Sequence, residues 1–233
     1  LDVSALSADH AVTIEALAAD QIEILKGPAT LLYGNGAVGG VVNVVTNRIH
    51  STLPGEVEGA VELRGDTALG ERAAAGRIDF GLGRMALHVD AFRRDTDDVR
   101  IPDYAPSRAE REQLAAAGED FGPRGRIENS AGEAQGAALG AALIGTRGYV
   151  GVSYSRYETE YGLPGEVGPR IDMTQNRYDL AAALDGGDGW FRKLQLRATV
   201  SDYAHAELEG DGAVGTQFDQ SAYEARLAVD HRI

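Results

Sequence analysis

Three residues near the end of one predicted strand have side chains that commonly bind metal ions. From Leu194 onward, even positions are mostly apolar and odd positions are polar, as in a strand with two different faces. The same alternation places His205, Glu207 and Glu209 together on the polar face. Zn²⁺ accepts imidazole nitrogen and carboxylate oxygen without needing thiolates. The pattern therefore predicts a zinc site, with a solvated acidic strand end as the alternative.

The other titratable residues show no arrangement typical of catalysis. The 233 residues contain no cysteine, which excludes a cysteine nucleophile and a thiolate zinc site within this sequence. No nucleophile and base occur in a recognisable pattern, so we predict no enzyme and no catalytic cofactor. His88 shares the polar face of another strand without an obvious partner, which favours a structural role. The net charge of −14 excludes a general nucleic-acid binder.

A glycine-rich stretch imitates a nucleotide-binding motif. Residues 34–39 match the dinucleotide fingerprint G-x-G-x-x-G, which must open a helix to bind the pyrophosphate. Here the β-branched run 41–46 follows instead and predicts a strand. A strand is also predicted over 22–25, and a short helix capped by Thr13 over 13–18. The nucleotide interpretation is therefore rejected.

The rest of the chain predicts a sheet of about eight strands. Two-residue alternation recurs near 57–64, 78–82, 85–91, 132–144, 150–155, 178–184, 194–201 and 223–230. Tight turns alternate with longer polar links near 65–72, 95–130, 159–175 and 209–218. No apolar run approaches the roughly 20 residues of a membrane helix. An all-β chain with long loops on one side is typical of a transmembrane antiparallel β-barrel. A soluble β protein, or a small structural or adhesive barrel, is the alternative.

Two local features extend this interpretation. The long link contains the capping-box pattern at Ser107 and Glu110, which predicts a short helix. Aromatic residues near the predicted strand ends are candidates for the interfacial girdles of a barrel: Tyr149, Tyr157, Tyr161, Trp190, Tyr203 and Tyr223.

Residues 22–46 (IEILKGPATLLYGNGAVGGVVNVVT) resemble the end of the plug domain of TonB-dependent outer-membrane receptors. The resemblance implies that residues 1–50 are the C-terminal part of a plug and residues 51–233 the first part of a barrel. Barrels of this family have about 22 strands around the plug, whereas eight strands leave no room for one. We therefore expect a fragment of a larger protein. The first residues, 1–4, lack signal-peptide features.

The family resemblance also implies a function. Such receptors lie in the bacterial outer membrane, in contact with its lipid, and are energised by a TonB-type inner-membrane complex. They capture a scarce ligand, here a metal ion or a metal chelate, and admit it when the plug moves. A ferric siderophore or haem is the alternative cargo to zinc.

Shorter segments resemble the zinc-uptake branch of the family. They are residues 7–12, which contain an Asp-His pair, residues 161–165 and residues 203–210. This resemblance implies Asp9 and His10 as zinc ligands on the plug, a glutamate from the barrel wall, and Zn²⁺ as the transported ligand. One difference is that residues 165–169 contain no histidine, whereas this branch often has a histidine-rich loop there.

Overall fold

The computed structural model describes residues 14–28, 38–164, 168–187 and 190–231. It begins with a 3-10 helix, Ala16–Ala18, which is the last turn of the predicted helix. The predicted cap, Thr13, lies outside the described residues. Strand β1, Gln21–Lys26, then pairs antiparallel with β2, Gly40–Val45. Both strands of this small sheet were predicted.

Eight further strands form a single antiparallel sheet in chain order. The strands are β3 Glu58–Gly65, β4 Arg72–Leu82, β5 Met85–Thr96, β6 Gly132–Gly145, β7 Gly148–Gly162, β8 Arg170–Asp185, β9 Phe191–Leu208 and β10 Val214–His231. Each strand pairs with the next along the chain, and in the described part of the chain β3 and β10 form the two edges. The all-β class and the count of about eight strands are confirmed.

The links between strands differ from the expected alternation of short and long. Turns 83–84, 146–147 and 186–190 lie at one end of the sheet, and links 66–71, 97–131, 163–169 and 209–213 lie at the other. Among these links only 97–131 is long, because β7 and β8 include residues 159–162 and 170–175 of one predicted loop, and β10 includes residues 214–218 of another. The link after β9 is a tight turn, in which Gly212 N–H donates to the Glu209 carbonyl.

The two faces of this sheet differ in burial. In β5, the side chains of Ala86, His88, Asp90 and Phe92 are buried, whereas Val89 between them is exposed. The face that contains the buried residues is called the inner face below. Large apolar side chains are exposed on the opposite, outer face: Ile78, Leu82, Leu139, Leu143, Val150, Val152 and Val200. An apolar surface of this extent is a membrane or interaction surface.

The prediction of an interfacial aromatic girdle is wrong for four of its six residues, which point to the inner face. Tyr149, Tyr157 and Tyr161 share the register of the buried residue Ser153 in β7 and therefore point inward. Tyr203 is also buried on the inner face. The prediction used distance from the strand ends and ignored the two-residue period. Trp190 and Tyr223 are exposed, and a further tyrosine pair lies on the outer face, Tyr154 and Tyr178, with ring centroids 5.0 Å apart.

The predicted helix in the long link is present as α1, Arg108–Ala117. The Ser107 hydroxyl accepts a hydrogen bond of 3.2 Å from the Glu110 N–H, as the capping pattern requires. Gly118 ends the helix with φ +76, a left-handed conformation that glycine adopts without steric cost. None of the described helices is long and apolar enough to cross a membrane.

We expect Ser107→Ala to destabilise α1 by about 1 kcal/mol, because an N–H of the first turn loses its acceptor. Hydrogen exchange of the amides of residues 108–111 should accelerate by about fivefold or more. Ser107→Asp keeps an acceptor oxygen and should leave exchange unchanged. Equal protection in Ser107→Ala and wild type would contradict the assigned cap.

Candidate metal-binding positions on the inner face

Residues from the N-terminal part of the chain form ion pairs with the inner face. The buried carboxylate of Glu15 lies 3.1 Å from Arg94 on β5 and 4.0 Å from Arg64 on β3. Asp20 pairs with Arg77 on β4. These contacts fix the start of the small sheet to the first three strands of the large one.

Residues 48–50, which we call the exit segment, lie in the link between the small sheet and the large one and contact the inner face directly. Arg48 binds Asp90 on β5 through two hydrogen bonds, Nε–Oδ2 at 2.7 Å and Nη2–Oδ1 at 3.0 Å. His50 Nε2 lies 2.6 Å from Asp79 Oδ1 on β4. Two-point arginine–carboxylate pairs of this kind are both strong and specific in geometry.

Glycines on the inner face allow the exit segment to approach. A Cβ atom at Gly140 on β6 would overlap the carbonyl oxygen of Arg48, and one at Gly151 on β7 would lie 2.5 Å from Ile49 Cγ2. Any larger residue would force the exit segment away from the sheet. The absence of side chains at Gly140 and Gly151 therefore allows the exit segment to lie directly against the inner face.

His88 lies at the centre of a buried cluster beside the exit segment. Its Nδ1 is 2.6 Å from Asp79 Oδ1, and its Nε2 is 2.9 Å from Asp90 Oδ2. The rings of His50 and His88 are 6.1 Å apart. The expectation that His88 has no partner is wrong. Asp79 and Asp90 lie on the same face as His88 by strand alternation, so the sequence contained a signal for these two contacts. No periodicity of the sequence places His50 beside them.

The structure brings together two of the residues predicted to bind zinc. His205 and Glu207 both lie on the inner face, with His205 Nε2 3.9 Å from Glu207 Oε1. Glu209 is exposed and lies past the end of β9, in the tight turn, so the strand alternation does not extend to it. Asp9 and His10 lie outside the described residues.

The surroundings of His205 are aromatic as well as polar. Its ring stacks on Phe218 of β10 with centroids 4.5 Å apart and meets Tyr203 edge-on at 5.5 Å. Tyr203 in turn packs with Ile171 and Met173, and Tyr157, Tyr161 and Leu163 lie against this cluster. The inner face thus offers flat aromatic surface beside one imidazole and one carboxylate. This region lies at the end of the sheet that contains links 97–131 and 209–213, called the loop end below.

A cavity of about 590 Å³ separates β2 from the inner face of β7, β8 and β9. Its lining includes charged side chains of both signs, among them Glu23, Arg177, Asp179 and Arg197. Arg177 Nη2 lies 2.9 Å from Asp179 Oδ1, and the Thr199 hydroxyl donates to the same oxygen at 2.6 Å. Such a polar, water-accessible space between the two sheets could hold a hydrated ion or a small polar ligand.

We expect Gly140→Ala to destabilise the protein by about 1–3 kcal/mol, the usual cost of overpacking. The added methyl group would displace Arg48 and weaken its pair with Asp90. In the full-length protein, trypsin should then cleave after Arg48 more rapidly. Gly76→Ala is the matched control, because its Cβ would meet only ordinary contacts of 3.8–4.0 Å. Equal cleavage rates for the two variants would contradict the close contact.

Comparison with known proteins gives a consistent family context. Residues 4–41 match the TonB-dependent Receptor Plug Domain family. The "Probable TonB-dependent siderophore receptor PirA" of Acinetobacter baumannii is 47% identical over 96 residues, which are 38% of this chain and 12% of that protein. The Ferric enterobactin receptor PirA of Pseudomonas aeruginosa is 34% identical over 89 residues, which are 35% of this chain and 12% of that protein. The chain therefore spans a small part of the relatives it matches.

Among solved structures, the Copper transporter OprC has a similar fold. The TM-score is 0.64 at 14% sequence identity, and the match covers 93% of this chain and 32% of OprC. At this identity the likeness concerns the fold alone. The match to the plug family, the similar receptors and the shared fold together support the TonB-dependent receptor family for this chain.

Proposed function

We propose that this chain is part of a TonB-dependent outer-membrane receptor that takes up a metal ion or a metal chelate. In this proposal residues 1–50 form the C-terminal part of the plug and residues 51–233 the first strands of the barrel. The main supporting observation is the docking of the exit segment, which follows the plug-like residues, onto the inner face of an antiparallel sheet. That sheet has an apolar outer face, as a barrel wall in lipid requires.

The edges of the sheet support the same proposal. Unpaired backbone N–H and C=O groups are too costly in hydrocarbon for an open sheet edge to persist there. β3 and β10 pair on one side only within the described residues. In the proposed receptor, further strands pair with these edges and close the barrel around the plug.

Transport in the proposed receptor depends on the contacts between plug and wall. Arg48 with Asp90 and Glu15 with Arg94 hold the plug-like residues against β5. A TonB-type complex in the inner membrane would supply the force that breaks or rearranges such contacts. The chain's own contribution is then to keep the passage closed until the force is applied.

Zinc is the proposed cargo, bound first at the loop end of the inner face. Two donor atoms on one tetrahedral zinc ion, each about 2.1 Å from it, lie about 3.4 Å apart. The 3.9 Å between His205 Nε2 and Glu207 Oε1 is close to that separation. Asp9, His10 and Glu209 are proposed as further ligands, from the plug and the adjacent turn.

A ferric chelate is a second candidate cargo. The stacked aromatic rings around His205 offer the flat contact surface that an organic chelate needs. The names of the siderophore receptors similar to this chain also favour it. The two candidates differ in what they require, because free zinc needs the imidazole and carboxylate whereas a chelate uses chiefly the aromatic surface.

In the full-length receptor, His205→Gln and Glu207→Gln should each lower zinc uptake by cells about tenfold or more, the size of effect seen when the ligand environment of a metal is damaged. Uptake of labelled zinc and of labelled ferric siderophore should be measured side by side. Glu224→Gln, at an exposed carboxylate on β10, is the control. Unchanged zinc uptake, together with loss of chelate uptake in Phe218→Ala, would support the second candidate instead.

The membrane location can be tested on the outer face. Val152, the fifth of the 15 residues of β7, is 56% exposed on that face, so in the proposed barrel it contacts lipid. We expect Val152→Arg to destabilise the full-length protein in bilayers by about 2–4 kcal/mol, whereas Val152→Phe should be tolerated. Urea unfolding in lipid vesicles measures the difference. Equal stability of the two variants would exclude lipid contact at this position.

A further inference from the structure

We propose that His50, Asp79 and His88 form a binding site for one divalent transition-metal ion, at the junction between the exit segment and the inner face. The three residues come from three elements, namely the exit segment, β4 and β5. This inference does not depend on which cargo the receptor transports. It concerns a resident ion that fastens the end of the plug to the wall.

The three donor atoms are already grouped for one ion. One atom from each of the three residues lies within 4.8 Å of the other two. Donors bound to one ion at about 2.1 Å are at most about 4.2 Å apart. Both imidazoles now lie 2.6 Å from the same carboxylate oxygen, Asp79 Oδ1. Side-chain shifts of less than about 1 Å would place all three donors around an ion.

Groups outside the three donors orient the buried histidine. Because His88 Nδ1 faces Asp79, its Nε2 is left to interact with Asp90, 2.9 Å away. The Nε and Nη2 atoms of Arg48 in turn donate hydrogen bonds to the two carboxylate oxygens of Asp90. A carboxylate on the far nitrogen of a metal-binding imidazole is the usual arrangement, and it fixes the ring and increases its basicity.

Charge and donor type indicate the class of ion. Metal binding requires neutral imidazoles. The cluster then contains two carboxylates and one guanidinium and has one excess negative charge, which the bound cation would neutralise. Two nitrogens and one oxygen suit Zn²⁺, Cu²⁺ or Ni²⁺, whereas Mg²⁺ and Ca²⁺ require mainly oxygen ligands. A water molecule would complete a tetrahedral set.

An ion could reach the cluster from a neighbouring cavity. A cavity of about 250 Å³ is lined by His88 and Asp90 and also by the carboxylates of Asp20 and Glu62. Three of the side chains concerned are nearly enclosed, with 2% of His88, 7% of Asp90 and 9% of Asp79 exposed, and His50 is the most open at 21%. His50 would therefore close over an ion that is already bound to the wall.

The test uses the full-length receptor in detergent, with the proposed cargo site removed by His10→Gln, His205→Gln and Glu207→Gln. Equilibrium dialysis should show one zinc ion retained per protein. Cobalt should give the visible absorption of a tetrahedral site, and the electron paramagnetic resonance spectrum with copper should show two coupled imidazole nitrogens. Adding His50→Gln or His88→Gln should weaken binding at least tenfold.

A further control variant separates metal binding from general damage. His231→Gln removes a histidine at the end of β10, outside the cluster, and should still bind one ion. His50→Gln lies outside the strands and keeps an N–H donor for Asp79, so it should disturb folding less than His88→Gln. The proposal is overturned if the cargo-site variant binds no ion, or if binding is unchanged by His50→Gln. The two proposals fail on different measurements. Zinc uptake that does not depend on His205 and Glu207 would refute zinc as the cargo, whereas the number of zinc ions retained in dialysis decides the resident site.

Discussion

Two charged groups buried on the inner face, Asp79 and Asp90, depend on the exit segment for their partners. Asp90 is bound by Arg48 and Asp79 by His50, and His88 lies between the two carboxylates. Removing one partner from a buried pair typically costs about 3–5 kcal/mol, because the remaining charge is left without compensation. The large sheet and the exit segment therefore stabilise each other through these ion pairs.

This mutual dependence accounts for other features of the sequence. Gly140 and Gly151 lack side chains where the backbone of the exit segment passes. Next to this contact, the inner faces of β6 and β7 contain Ala138, Ala142 and Ser153, whereas the outer faces contain Leu139, Leu143, Val150 and Val152. Some of the 30 glycines of the chain thus serve this contact, and not only tight turns.

The sequence predicted the parts of the fold that follow a regular period. The eight strands, the inner-face position of His205 and Glu207, and the helix begun by Ser107 all follow from local patterns. Strand lengths were underestimated because the outer faces of β8 and β10 become polar toward the loop end, as at Asp172, Asn176, Gln217 and Asp219. The inward tyrosines were misassigned because distance from a strand end was used instead of register.

The cluster of His50, Asp79 and His88 could be predicted only in part. Asp79, His88 and Asp90 occupy inner-face positions of neighbouring strands, so their proximity follows from the hairpin register. His50 lies in an irregular segment, and its contact with Asp79 depends on how that segment crosses the sheet. No local sequence pattern encodes such a crossing, because it is determined by long-range packing against β6 and β7.

The central claim is that the exit segment is held against the inner face of the barrel wall. It is tested most directly by disulfide cross-linking in the full-length protein with Ile49→Cys and Gly151→Cys. The Cγ2 atom of Ile49 lies 2.5 Å from where a Cβ of residue 151 would be. Ile49→Cys removes this Cγ2 atom and with it the overlap that a side chain at residue 151 would otherwise meet there, so oxidation should join the two cysteines. The matched pair Ile49→Cys and Val152→Cys should not cross-link, since residue 152 points to the outer face. If both thiols of the first pair remain free to react with an alkylating reagent, the exit segment does not lie on the wall and the account is contradicted.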